Sequence, residues 1–370
     1  MPPVRARVAM TAISLLLALS SAAGCASEYV APTSTTGTPV AAMSVAEPRA
    51  SVTATAASPT AAAAATGALR FEVQRFAVPS GAGPHDVAPA ADGGVWYTAQ
   101  RQGALGHLDP KTGKTRQIAL GPGSAPHGVI VDRDGAAWVT DGGLNAIVRV
   151  DPKTDAVTVY PLPADRPRTN LNTATFDRRG RVWFTGQSGI YGVLDPATKQ
   201  VRVFDAPRGA GPYGITTTPD GTVWYASLAG DHIAWVDVES GRAEVVEPPT
   251  KDQGARRVWP DSQGRVWVSE WDAGQVAVYD PATKTWAERK LPGSRPQAYA
   301  VYVDERDAVW LSDFGANALV RYDPASGEFR SFPLEGRPGN VRQIHGRPNE
   351  VWAPESATDH IVLVRTVPGG

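Results

Sequence analysis

Cysteine is almost missing from this chain. Cys25 stands alone among 370 residues, so no disulfide can form within it. A charge excess is missing as well: 36 Lys and Arg face 37 Asp and Glu, for a formal net charge of −1. The two signs are interspersed, and without a basic stripe no nucleic-acid partner is expected. Apolar runs are short. Val8 to Leu19 extends twelve residues, interrupted by Thr11 and Ser14, which is too little to span a bilayer as a helix. Helical periodicity is absent too. The apolar residues are β-branched or aromatic and fall in brief runs, which argues against helices and for strands.

The run at Val8 has informative neighbours. Arg5 and Arg7 precede it and Ser21-Ala-Ala-Gly-Cys25 follows, the layout of a signal peptide over residues 1–25. The pentapeptide resembles a bacterial lipobox, with Cys25 as the lipidated residue. Residues 26–68 are mostly Ala, Thr, Ser, Pro, Gly and Val. They lack large side chains to bury and are expected to form a disordered tether. The expectation is an exported protein, lipid-anchored at the bacterial cell envelope and touching the membrane only through that anchor. Its folded part, residues 69–368, is expected to be a monomer.

What the chain does have is a ladder of tryptophans. Trp96, Trp138, Trp183, Trp224, Trp267, Trp310 and Trp352 are separated by 42, 45, 41, 43, 43 and 42 residues. A fixed period of this size marks a repeat architecture. The second unit shows the pattern. His127-Gly-Val-Ile-Val-Asp132 is a short apolar run, Arg133-Asp-Gly135 a turn, and Ala136 to Thr140 a second strand. Ala146 to Val150 makes a third strand, Asp151-Pro-Lys-Thr-Asp155 a tight turn, and Val157 to Tyr160 a fourth. Four hairpin-connected strands per unit make a propeller blade, so the fold class is all-β, a seven-bladed β-propeller. Phe71 to Pro79 reads as a fourth strand with no first three before it. Ile361 to Arg365 reads as a third strand with no fourth after it. The N-terminal strand is therefore expected to complete blade seven and close the ring. Seven equivalent Trp side chains are expected to be core.

In such a fold the loop before strand one and the loop after strand two share a face. Eleven residues before each Trp stand His85, His127, Asn172, Tyr213, Arg256, Tyr299 and Val341, and an insertion or deletion before blades six and seven would shift the last two, with Gln297 replacing Tyr299. Three residues after stand Ala99, Asp141, Gly186, Ser227, Glu270, Asp313 and Glu355. His127 and Asp141 are expected together at the channel mouth, with His85 and Glu355 arriving from neighbouring blades. Two histidines and two carboxylates on one rim suit proton transfer or a divalent cation. A polar rim without chemistry has the same composition.

The Pro-His-Gly-Val strand start, the Asp-x-x-Gly-x-x-Trp-Val-Thr second strand and the Asn-x-Ile third strand resemble the virginiamycin B lyase, or streptogramin lyase, family. Gly211-Pro-Tyr-Gly-Ile-Thr216 and Pro219-Asp-Gly-Thr-Val-Trp224 are especially similar. The resemblance implies a carbon–oxygen lyase that opens a cyclic depsipeptide by elimination at an ester, with Mg²⁺ as Lewis acid. It implies His85 and His127 as the catalytic pair, with His127 as general base or acid and His85 polarising the ester. Asp141 matches one family glutamate as a shorter carboxylate and, with Glu355, is the expected metal ligand. Ala125 stands where the family carries its other glutamate. Tyr213, Arg256 and Tyr299 are the expected substrate-binding side chains.

Two other functions fit the same mouth. One is a non-catalytic surface propeller that binds a peptide, glycan or protein partner. The other is a lactonase-type calcium propeller drawing on Asn172, Glu270 and Glu355, though no spacing singles those residues out.

Overall fold

The computed structural model describes residues 69–368. The expected signal peptide, Cys25 lipidation site and tether lie outside the described residues. Within them, seven four-stranded antiparallel sheets follow one another. In blade one the strands are Pro84–Pro89, Val95–Ala99, Ala104–Leu108 and Thr115–Ala119. The first strands of neighbouring blades pack on one another around the central channel. Arg70–Ala77 pairs antiparallel with His360–Val367, from Arg70 opposite Val367 to Ala77 opposite His360. The N-terminal strand is thus the outer strand of blade seven and gives it four strands like the other blades.

The tryptophan ladder is core. The seven indoles are between 0% and 4% exposed, so none offers a face to a ligand. Removing one would leave a cavity costing about 4 kcal/mol. Each needs a partner for its N–H, and in four blades an aspartate six residues earlier supplies it. Trp138, Trp183, Trp267 and Trp310 donate to Asp132, Asp177, Asp261 and Asp304 at 2.8–3.0 Å. The other oxygen of Asp132 accepts from the N–H of Asp134 and of Ala136, closing the turn between strands one and two. One side chain therefore fixes both the hairpin and the Trp rotamer. Blades one and four carry Ala90 and Thr218 at this place.

A second device stitches blade to blade. In five blades, two residues after the Trp, a buried hydroxyl donates to a first-strand carbonyl of the next blade, whereas blades four and seven carry Ala226 and Pro354 there. Thr98 reaches His127 at 2.8 Å, Thr140 reaches Asn172 at 2.5 Å, and Ser269 reaches Tyr299 at 2.7 Å. The same hydroxyls accept a backbone N–H from their own blade, as Thr140 does from Gly128 at 2.9 Å. Gly128 is needed because the strands come so close: a Cβ there would stand 2.8 Å from the Asn172 carbonyl oxygen. This belt fixes the backbone at five of the seven mouth positions, His127, Asn172, Tyr213, Tyr299 and Val341.

Candidate active site at the channel mouth

Six of the seven positions counted back from the Trp ladder land on the second residue of a first strand, in Pro84–Pro89, Pro126–Val131, Leu171–Phe176, Pro212–Thr217, Ala255–Pro260 and Ala298–Val303. The seventh slips by one. In blade one Ala88 lies opposite Trp96, eight residues on, whereas in blade seven His345 lies opposite Trp352, seven residues on. The hairpin there is shorter, with Arg347 paired to Glu350. Val341 consequently packs in the hydrophobic cluster of Leu319, Phe332 and Leu334, and Arg342 takes its place facing the channel.

The structure brings His85 and His127 together, with ring centroids 3.8 Å apart. They are 4% and 7% exposed. Their third companion is Asp86, which sequence reasoning missed. Its Oδ1 lies 2.8 Å from His85 Nδ1. The same carboxylate is held by the Arg257 guanidinium, at 3.0 Å to Oδ1 and 3.3 Å to Oδ2. Asp86 and Arg257 are both buried, and the pair spans the channel from blade one to blade five. On its far side a cavity of about 710 Å³ opens toward the other face, lined by Asp86, Thr173, Trp259, Gln343 and His345 among others. A signal for this pair existed. Ten residues before each Trp the chain reads Asp86, Gly128, Thr173, Gly214, Arg257, Ala300 and Arg342, and one negative and two positive charges stand out in that series.

Burial, with help from Arg257, Arg342 and Arg256, holds the His85 pKa well below its ordinary value. Burial and then the neighbouring His85 do the same for His127, against the opposing pull of Asp86. Both rings are therefore neutral at pH 7, and the contact with Asp86 is a hydrogen bond from a neutral imidazole, not an ion pair. Donor directions then follow, because arginine can only donate. Arg257 donates to Thr173 Oγ1 at 2.7 Å, and that hydroxyl donates to Asn172 Oδ1 at 2.6 Å. The Asn172 amide N–H then points to His127 Nε2 at 3.3 Å. His127 accepts there, so its Nδ1 carries the proton, and that buried Nδ1–H has no partner among the described residues. His85 gives its Nδ1–H to Asp86, which leaves the lone pair on Nε2. The two tilted rings thus present one donor and one acceptor.

Across the mouth stand aromatic and cationic groups. The hydroxyls of Tyr213 and Tyr299 are 2.5 Å apart. The Arg256 guanidinium carbon lies 3.6 Å from the Tyr299 ring centroid, 4.8 Å from Tyr213 and 4.9 Å from Trp271. Arg342 donates to the Tyr299 hydroxyl at 3.3 Å. The Tyr213 and His127 rings meet edge to face at 6.3 Å, so the two halves of the mouth touch. Tyr213, Arg256 and Tyr299 therefore sit together, facing the histidines.

Asp141 and Glu355 do not join them. Asp141 is fully buried, and its Oδ1 accepts from the N–H groups of Ala125, Gly143 and Leu144 at 2.9–3.0 Å. Its Oδ2 accepts from the Ser124 hydroxyl. That carboxylate holds its own loop, as Asp313 does for Gln297, Gly315 and Ala316. Glu355 is paired to Arg75 at 2.7 Å, at the ring seam. Asp86, not Asp141, is the carboxylate that shares a cluster with both histidines. A magnesium ion, which the resemblance implies, does not fit here. Mg²⁺ seeks several oxygen ligands in octahedral geometry. The cluster supplies one carboxylate, both of whose oxygens face the Arg257 cation.

The sequence profile described as the virginiamycin B lyase family matches residues 52–301 and 192–367. The chain belongs to that family. Two overlapping matches are natural for a family of near-identical repeats in a closed ring. A solved structure titled streptogramin B lyase is similar, with a TM-score of 0.74 and 22% identity over 80% of this chain and 98% of that one. Virginiamycin B lyase from Staphylococcus aureus gives 0.74 and 20%, over 80% and 100%. YCF48 bound to D1 peptide is a more distant likeness, at 0.64 and 15%, over 80% and 96%. At these identities the likeness is one of fold. No curated protein matches the sequence.

Proposed function

We propose that this member of the family is a carbon–oxygen lyase that opens a cyclic, ester-containing peptide by elimination. One observation carries the reading: two neutral histidines, with tilted rings 3.8 Å apart, offer an unpaired acceptor and an unpaired donor at the same mouth. His85 Nε2 takes the proton from Cα of the esterified residue. The C–H electron pair becomes a Cα=Cβ double bond, the Cβ–O bond breaks, and its electrons leave on the ester oxygen as a carboxylate. Asp86 supports the imidazolium that forms on His85. The His127 Nδ1–H donates to the departing oxygen. Of the two roles the resemblance leaves open for His127, the hydrogen-bond chain from Arg257 favours the acid, and His85 becomes the base instead of only polarising the ester. Tyr213, Arg256 and Tyr299 bind the substrate. Export and anchoring through Cys25 complete the reading, and labelling with a lipid analogue, lost in Cys25→Ala, checks that part.

The test is incubation with a streptogramin B depsipeptide followed by mass spectrometry. Elimination yields a ring-opened isomer of unchanged mass, and hydrolysis adds one water. A product with added water, or equal turnover by His85→Ala, sinks the reading. The near-complete burial of both histidines favours a second reading, a non-catalytic propeller that binds a peptide, glycan or protein at this mouth. Saturable ligand binding with no isomer formed selects it.

A further inference from the structure

We propose that Arg256 and Arg342 form a carboxylate-binding site at the mouth, and that it serves the reaction without a divalent cation. The first half stands on the structure alone. The second rests on the lyase reading.

Arg257 is matched by Asp86. Among the described residues neither Arg256 nor Arg342 has a carboxylate partner. Arg256 reaches the Tyr213 hydroxyl at 3.4 Å, and its Nε is buried without a partner. Arg342 reaches only the hydroxyls of Tyr299 and Ser356, at 3.3 and 3.1 Å. Three guanidiniums thus face one carboxylate, Asp86, beside two neutral imidazoles, an excess of two positive charges at a half-buried mouth. Uncompensated guanidiniums out of bulk water are costly unless an anion joins them. The surroundings register their field. Burial alone would raise the Tyr299 phenol, but Arg256, Arg257, the Tyr213 hydroxyl and Arg342 hold its pKa below the ordinary value. Stacking on Tyr299, Tyr213 and Trp271 fixes the Arg256 plane, which suits recognition of a planar carboxylate.

The same charges repel a divalent cation. In a ring-opening elimination the group that gains charge is the ester oxygen, which leaves as a carboxylate. A pair of guanidiniums across from His85 supplies the electrostatic stabilisation that a Lewis acid gives elsewhere. It also explains how the mouth tolerates Ala125 and the withdrawal of Asp141 into its loop. The ligand class that fits is an aromatic or peptide-like molecule that carries a carboxylate or releases one.

The probes are N-benzoylglycine and its neutral amide, titrated by calorimetry in buffer containing EDTA. The acid should bind with a Kd near ~1 mM or tighter, and the amide roughly tenfold more weakly. Arg256→Gln and Arg342→Gln should each weaken the acid roughly tenfold, with Arg256→Lys intermediate and all variants melting cooperatively. Equal binding of acid and amide, no saturable binding of the acid, binding that needs added Mg²⁺, or full affinity in the double Gln variant overturns the site. Turnover of the depsipeptide is then compared in EDTA and in Mg²⁺. Equal rates support cation independence, and rates restored only by Mg²⁺ refute it. If the acid binds but no ring opens, the lyase reading fails while the carboxylate site stands.

Discussion

Replacing Asp86 by Asn separates the two tasks that its carboxylate performs. The first is electrostatic. Arg257 is buried, and its guanidinium faces the carboxylate at 3.0 and 3.3 Å. Its remaining contacts are the Thr173 hydroxyl and the Tyr213 ring. An amide of the same shape leaves that charge uncompensated, and breaking a buried pair in this way costs about 3 kcal/mol or more. For a domain of this size, that lowers Tm by roughly 6 °C. The second task is chemical. Asp86 accepts the His85 Nδ1–H, which keeps the lone pair on Nε2. An Asn can turn its NH₂ toward Nδ1, moving the proton to Nε2 and removing the acceptor.

The two effects separate in a second variant, Asp86→Ala with Arg257→Met. Removing both charges restores most of the stability, since an apolar replacement of a buried pair is close to neutral. It does not restore the tautomer or the base, so ring opening stays down by about a hundredfold. Thermal melts read the first effect, ¹⁵N NMR of the imidazoles the second, and product formation the third. The reasoning is refuted if Asp86→Asn melts with the wild type and His85 keeps its Nδ1–H.

Glu270 is fully buried, and its carboxyl is raised by burial to about 8, against a hydrogen bond from Gln275. The unfolded chain ionises it from about pH 4.5 while the folded protein keeps it neutral, so stability is lost as pH rises between those values. Glu270→Gln should raise the melting temperature at pH 7 and flatten that slope, as calorimetry against pH will show. His85, His127 and His345 shift the other way: burial lowers all three, His345 to about 4. Their unfolded forms take up protons below about pH 6.5 first, so each makes the protein less stable by about 1.4 kcal/mol per pH unit as pH falls below that value. His345→Gln should remove its share, measured by denaturant midpoints at pH 5 and 7. Thr140→Val keeps the shape but strands the Asn172 carbonyl and the Gly128 N–H, costing about 2 kcal/mol and loosening the residue that orients His127.

The fold was legible because its signal repeats. One Trp is an aromatic residue, but seven at a constant interval are a ruler, and each proves buried where a propeller needs a large core side chain. The ruler also located His85, His127, Tyr213, Arg256 and Tyr299. It failed where a backbone detail intervened. The shorter hairpin at Arg347–Glu350 moved blade seven by one residue, and Arg342 replaced Val341. It failed again at the carboxylates. Residue type suggested that Asp141 and Glu355 were ligands, but a carboxylate serves equally well as an acceptor for loop N–H groups or as a partner for Arg75. Asp86 and Arg257 were overlooked because each stands beside a residue already counted. A strand irregularity between Pro84 and Val87, and another between Ala255 and Arg257, interrupts the alternation that would have turned one of two neighbours away.

That irregularity bears on how chemistry sits on this fold. The belt of Thr and Ser hydroxyls grips the carbonyls of His127, Asn172 and Tyr299, never their side chains. Where the belt is present, backbone geometry is therefore held whatever residue stands there, and those side chains can change without loss of the fold. Seven first strands surround one channel, so a histidine pair needs only two adjacent blades. The pair here uses blades one and two, and the charge that faces it comes from blades five and seven. Membership in the family fixes the propeller and its belt. What the mouth binds and does depends on side chains that the belt leaves free, which is why Arg256 and Arg342 weigh more than the fold in assigning its ligand.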